Sequence, residues 1–164
     1  MYQPVPEDGT FDELLAALRP ELLRFALWLT RDRPMAEDVV QETMLRAWKA
    51  QDSLTDRQAL RPWLMTIIRR EHSRLRQRQP PPATDIDQLI AVDDPQLAAI
   101  DGEEQRELRK AILQLPEDYR VPLLMQVMGG FSAAEIATEL QLTQGAVLTR
   151  LCRAREKLRN LWPD

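Results

Sequence analysis

An all-α fold in two small helical domains is predicted by three features of this 164-residue chain. Apolar residues recur at helical spacing along most of its length. Glycines number only five and aromatics make up 5%, against 29% charged residues, a mix that favours soluble, helical structure. Between the two periodic stretches lies "PPPATDIDQLIAVDDPQLAAIDGE", with three consecutive prolines, clustered acids and weak periodicity. A structureless loop of that length is unusual inside one compact domain. The expected organisation is therefore a first domain over residues 10–79, an acidic, proline-rich linker over 80–102 and a second domain over 103–162.

The elements follow in order. Leu14, Leu15, Leu18, Leu22, Phe25 and Leu29 form one stripe, so a first helix is expected from Phe11 to Leu29. Pro20 lies inside it and either kinks it or starts a second helix. The next helix opens near Pro34, whose missing N–H suits a first turn. It runs to Ala50 and is expected to bury Met35, Val39, Val40, Met44 and Trp48. "QDSLTDRQA" reads as a loop. Pro62 opens a third helix that ends before Pro80, with Leu64, Ile67, Ile68 and Leu75 facing inward. The linker reads as a solvated tether; an acidic segment competing with DNA for the basic blocks, or a short helix around Gln88–Val92, are the alternatives. Four more helices follow. One spans Glu103–Gln114 and stops before Pro116. Another spans Glu117–Met128 and stops at Gly129-Gly130. A third begins at Ser132, where Ser-Ala-Ala-Glu spells a capping box. The last follows Thr143 as N-cap and reaches Leu161.

The net charge of −4 hides strong segregation. Residues 61–79 hold six arginines and one acid, residues 80–104 hold seven acids and no Lys or Arg, and residues 144–164 hold five bases and two acids. Two basic blocks thus flank an acidic middle, and the blocks say more about partners than the total does. The beginning, "MYQPVPEDGT", has neither a basic region nor an apolar run, so no secretory signal is expected. No stretch approaches the roughly 20 apolar residues of a membrane span. Cys152 is the only cysteine, which rules out an internal disulfide and argues against a thiolate zinc site. It reads as a small buried hydrophobe. His72 reads as a neutral polar contact. No nucleophile–base constellation, metal cluster or phosphate loop is visible, so the expectation is a cytoplasmic protein that is not an enzyme and uses no cofactor or metal.

"SAAEIATELQLTQGAVLTRL", residues 132–151, is a helix, a tight turn and a second helix. Ile136, Ala137, Leu140, Leu142 and Val147 are spaced to pack the two at a steep angle, small Ala137 allowing a close crossing. On the far face, Thr149, Arg150, Arg153, Arg155, Lys157 and Arg159 place bases outward. Arginine neutralises phosphate and binds guanine edges in a bidentate way. An ordinary helical corner with a solvated basic face would give the same pattern. The longer run "LPEDYRVPLLMQVMGGFSAAEIATELQLTQGAVLTRLCRAREKLR" resembles the σ4 domain of bacterial RNA polymerase sigma factors: an L-P-x-x-x-R start, an apolar helix, S-x-x-E-I-A, then G-x-V-x-x-R-L-x-R-A-R. That resemblance implies readout of the minus-thirty-five promoter element, by Gln144, Thr149, Arg150, Arg153 and Arg155. Two positions depart from the pattern. Gln141 stands where the turn often has glycine, a cost of about 1 kcal/mol if that residue is left-handed. Leu148 stands where a lysine is common.

"AEDVVQETMLRAW", residues 36–48, resembles the σ2 segment that docks on core polymerase. Its residues allow the same reading: one face is apolar, and the other shows Asp38, Gln41, Glu42 and Leu45 at i, i+3, i+4 and i+7. Such a stripe suits a partner helix with basic groups, or else is a solvated acidic face. In the family the partner is the clamp helices of the β′ subunit. "LRPWLMTIIRREHSRLRQRQ", residues 60–79, resembles the σ2 segment that melts and reads the minus-ten element, implying DNA contacts from Arg61, Arg69, Arg70, Arg74 and Arg76. The flipped base would be taken by the preceding loop, residues 52–59. Trp63 reads as core rather than as a base-stacking platform.

The resemblance covers nearly the whole chain, and two domains joined by an acidic linker match the small extracytoplasmic-function type of sigma factor within the sigma-70 family. It implies a transcription initiation factor whose partners are core RNA polymerase, through the β′ clamp helices and the β flap, promoter DNA and an anti-sigma factor. No direct membrane insertion is expected, although an anti-sigma factor would hold the protein near a membrane. The rival readings are a sigma mimic that sequesters an anti-sigma factor and a stand-alone helix-turn-helix regulator. The second leaves residues 10–79 unexplained.

Overall fold

The computed structural model describes residues 9–78 and 103–161, without the side chains of 103–106. The expected linker, with its alternative helix at Gln88–Val92, lies outside the described residues. The chain divides into two units, Met1–Pro81 and Pro82–Asp164. Among the described residues every regular element is helical.

The first unit is three helices, α1 (Phe11–Thr30), α2 (Arg33–Lys49) and α3 (Leu60–Arg78), each packed on the other two. A capping box starts α1: the Thr10 hydroxyl accepts from the Glu13 N–H at 3.2 Å, and the Glu13 carboxylate accepts from the Thr10 N–H at 3.3 Å. Pro20 does not divide this helix. It stands on the exposed side with Ala16, whose carbonyl it leaves unbonded within the helix, so water can serve that group while Leu18 and Leu22 continue the buried stripe. Arg31 ends α1 in a left-handed conformation, φ 57°.

The buried face of α2 differs from the expectation. Met35, Val39 and Val40 are buried, but Met44 is half-buried and Trp48 is 54% exposed. Ala36, Thr43 and Ala47 take the inner positions, and their small side chains let the neighbouring helices approach. Thr43 tolerates burial because its hydroxyl donates to the Val39 carbonyl at 2.7 Å. The expected loop contains two 3-10 turns, Gln51–Ser53 and Arg57–Ala59. Asp56 caps the second by accepting from the Gln58 N–H at 3.0 Å, and Arg57 donates to the Gly9 carbonyl at 2.9 Å, tying this segment to the start of α1. In α3, which begins two residues before Pro62, Leu60, Leu64, Met65 and Ile68 fill the core. Ile67 and Leu75 are half-buried, and His72 is buried.

The second unit holds α4 (Glu103–Gln114), α5 (Glu117–Val127), α6 (Ala133–Leu140) and α7 (Gln144–Leu161). Leu115, Leu124, Met125, Phe131, Ile136, Val147, Leu151 and Ala154 form its centre. The L-P-x-x-x-R sequence has a physical basis here. Leu115 is buried, Pro116 is the N-cap of α5, and the buried Arg120 guanidinium donates back to the Leu115 carbonyl at 2.9 Å. Gly129 and Gly130 serve different needs. A Cβ on Gly129 would lie 2.6 Å from the Phe131 ring and 2.8 Å from the Met125 carbonyl oxygen, whereas Gly130 has φ +71°. The Ser132–Glu135 capping box forms, with both bonds at 3.1 Å. Gln141 is left-handed, φ 57° and ψ 45°, and Leu142 N–H bonds the Ala137 carbonyl at 2.9 Å to close the turn. Thr143 caps α7 by accepting from the Ala146 N–H at 3.1 Å.

Candidate functional site

On the first unit, α2 and α3 frame a shallow groove of about 290 Å³. Asp38, Gln41, Glu42 and Leu45 line it from α2; Glu71, Arg74 and Leu75 line it from α3. The four residues singled out on α2 therefore share one surface. Leu45 is 50% exposed and supplies an apolar centre among the polar groups.

Glu71 was not legible as part of this surface, being one acid in an arginine-rich helix. Its side chain is only 5% exposed, and its two oxygens meet Arg46 at 2.6 Å and Arg74 at 2.8 Å. Glu42 meets the same Arg46 at 3.2 Å and lies 3.9 Å from Arg74. A buried carboxylate requires such pairing, because its desolvation is expensive unless opposite charges and hydrogen bonds replace water. The result is a four-member charged network joining α2 to α3, with Asp38 at the groove's edge adding negative charge. Trp48, one turn beyond Leu45 and half exposed, extends the apolar part of this helix face.

The arginines expected to meet the minus-ten element do not form one continuous stripe. The Arg61 side chain is 9% exposed and its Nε meets Glu21 at 2.9 Å, tying α3 to α1. Arg74 belongs to the groove network. Arg69 is half-buried and donates to the Ser73 hydroxyl at 3.1 Å. Arg70 is exposed. Arg76 is half-buried and close enough to Arg31 to matter electrostatically: burial first, and then the charge of Arg76, push the Arg31 guanidinium below its ordinary pKa. Trp63 is half-buried and makes an edge-on contact with Phe11, ring centres 6.4 Å apart, as a core-side residue does.

On the second unit, the first turns of α7 expose Gln144, Gly145, Leu148, Thr149, Cys152 and Arg153. The exposure of Cys152 corrects the expectation of a buried thiol; Leu151 and Ala154 occupy the inner positions instead. The basic residues separate into two groups. Arg153 is exposed on this face. Arg150 and Arg155 reach α5, Arg150 lying 3.7 Å from Asp118 and Arg155 donating to the Gln126 side-chain oxygen at 2.6 Å. Lys157 stands 5.5 Å over the Tyr119 ring. An amide, a hydroxyl and a guanidinium on the opening turns of an exposed helix are the groups that read base edges when such a helix enters a major groove.

Among the described residues no cluster of His, Cys, Asp and Glu is arranged to hold a metal, and no helix is long and apolar enough to cross a membrane.

Both units match known families: Sigma-70 region 2 over residues 14–80 and Sigma-70, region 4 over residues 105–158. The ECF RNA polymerase sigma factor EcfG of Rhodopseudomonas palustris (strain TIE-1) is 36% identical over 155 residues, covering 92% of this chain and 83% of that protein. The probable RNA polymerase sigma factor RfaY of Xanthomonas campestris pv. campestris is 32% identical over 158 residues, which is 92% of this chain but 40% of that longer relative. Among solved structures, the sigma factor RpoE in complex with the anti-sigma factor NepR from Bartonella quintana matches with a TM-score of 0.68 and 30% identity, over 92% of this chain and 95% of that one.

Proposed function

Because the chain belongs to the extracytoplasmic-function group of the sigma-70 family of transcription initiation factors, we propose that it docks on core RNA polymerase through the α2–α3 groove and directs the enzyme to promoters through α3 and α7. The observation that carries this reading is that Asp38, Gln41, Glu42 and Leu45 open onto one groove, closed on its far side by Glu71 and Arg74. Acids around an exposed leucine suit a partner helix that offers basic groups and an apolar ridge, the chemistry expected of the β′ clamp helices. Trp48 adds an aromatic anchor of the kind enriched at protein interfaces.

The exposed Arg70, with Arg69 and Arg76 beside it, contacts the backbone of the opened minus-ten region, and the capped segment over residues 52–59 receives the flipped base. Arg74 acts in the docking groove. In the second unit Gln144, Thr149 and Arg153 face the minus-thirty-five bases, while Arg150 and Arg155, held toward α5, meet phosphates at the flank. The β flap contacts this unit. The protein acts in the cytoplasm, is not itself an enzyme and needs no cofactor. An anti-sigma factor restrains it, as NepR partners the similar RpoE.

Titration of core polymerase with the natural chain and with the double variant Asp38→Ala/Glu42→Ala tests the docking assignment. The expected result is an affinity lower by at least about ten-fold, ~1.4 kcal/mol, with unchanged helical content. Equal affinity for both proteins would remove the groove from the interface.

A further inference from the structure

The exposed face of α7 carries two parallel lanes. Gly145, Thr149 and Arg153 make one; Gln144, Leu148 and Cys152, each four residues apart, make the other. The second lane is unusual for a helix that meets nucleic acid, since its middle member is a leucine with 53% of its surface in solvent. A leucine there gives no donor or acceptor and no charge to a phosphate. On the opening turns of a major-groove helix, side chains reach base edges, and the apolar group displayed there is the C5 methyl of thymine.

We propose that Leu148 is a specificity-determining residue that packs against a thymine methyl in the upstream promoter element, with Gln144 and Thr149 positioned to bond the edges of neighbouring base pairs. The inference deepens the assignment of α7 as the DNA-reading helix and rests on it. Four observations on one surface carry it. Leu148 lies one turn after Gln144, within the part of the helix that leads into the groove. Its polar and charged neighbours, Thr149 and Arg153, are also exposed. The soft, exposed Cys152 prolongs the apolar lane by one turn, so water is displaced from a continuous strip when DNA covers it. The Thr149 hydroxyl donates to the Gly145 carbonyl at 3.0 Å, which fixes the rotamer beside Leu148 and leaves the oxygen able to accept from a base amino group.

The test uses the complex of the full chain with core polymerase. Duplexes bound from a randomised upstream element are selected first, and each thymine of the selected element is then replaced singly by deoxyuridine, which lacks only the methyl. At one position the natural chain should lose about four-fold in affinity, the equivalent of one methyl-sized apolar contact. The Leu148→Ala complex should show no such loss there, and Leu148→Met should keep it. Leu148 is a surface residue, so neither variant endangers the fold. If selected duplexes bind but no thymine is methyl-sensitive, or if Leu148→Ala retains the sensitivity, the proposal is overturned and Leu148 faces a protein partner instead. If selection yields no preferred upstream sequence, the assignment of α7 to DNA fails as well, a result distinct from the other two.

Discussion

Arg120 illustrates how much one side chain can settle in a small helical unit. Its buried guanidinium donates to the carbonyl of Leu115 at the junction of α4 and α5, satisfying the backbone acceptor just before the N-cap Pro116. Arg120→Met fills similar space but strands that carbonyl, so the second unit should lose about 1–3 kcal/mol, read as a lower urea midpoint by circular dichroism. The role of Arg120 was visible only as a motif letter, because a bond to a carbonyl five residues back depends on how the helices are joined. Gln141 was easier to anticipate: a turn between two helices that close together demands a left-handed residue, and the observed φ of 57° meets that demand without glycine. Gly129 is the reverse case. The sequence marked a helix stop, while the need for glycine comes from the approach of Phe131. Cys152 was misread because residue type predicts average burial, whereas helix phase decides it at one position. Arg61 makes a related point: the sequence shows an arginine in a basic run, and only the fold shows Glu21 facing it.

At the level of elements, α2 presents a buried side of small residues and an open side that carries the stripe of Asp38, Gln41, Glu42 and Leu45. The periodicity located the helix and its acidic stripe. It misplaced Trp48 because a stripe of Ala and Thr gives weak hydrophobic signal, and the larger Met44 and Trp48 seemed better core material. The groove itself was beyond reach of sequence, since it needs α3 to bring Glu71 and Arg74 beside Glu42. For α7 the capping residues fixed the start, and the packing of Val147, Leu151 and Ala154 fixed the open face. Because the chain has one cysteine and it lies on that face, thiol chemistry reports on the helix directly. Alkylation of Cys152 should slow by about ten-fold or more when the polymerase complex sits on a selected promoter, by the exclusion that a groove-filling contact imposes. Core polymerase alone should leave the rate unchanged. Equal rates with and without promoter would place DNA elsewhere.

For the whole molecule, the charge distribution shows how an acidic chain can still offer the local basic faces that the proposed promoter contacts need. Local basic faces occur in both units, while seven acids and no Lys or Arg occupy residues 80–104. Neither basic face need hold DNA alone. On the proposed function, two modest contacts joined in one chain would raise each other's effective concentration, and a polymerase that grips phosphates would supply the sequence-independent share. The two-unit division followed from where periodicity stopped, a feature a sequence displays openly. The most direct measurement of the central claim is run-off transcription by core polymerase free of other sigma factors, supplied with this chain and a library of promoter fragments. Specific transcripts are predicted with the natural chain, and their loss with Asp38→Ala/Glu42→Ala. Polymerase that binds the chain yet initiates on no fragment, or a double variant that transcribes as well as the natural protein, would contradict the account.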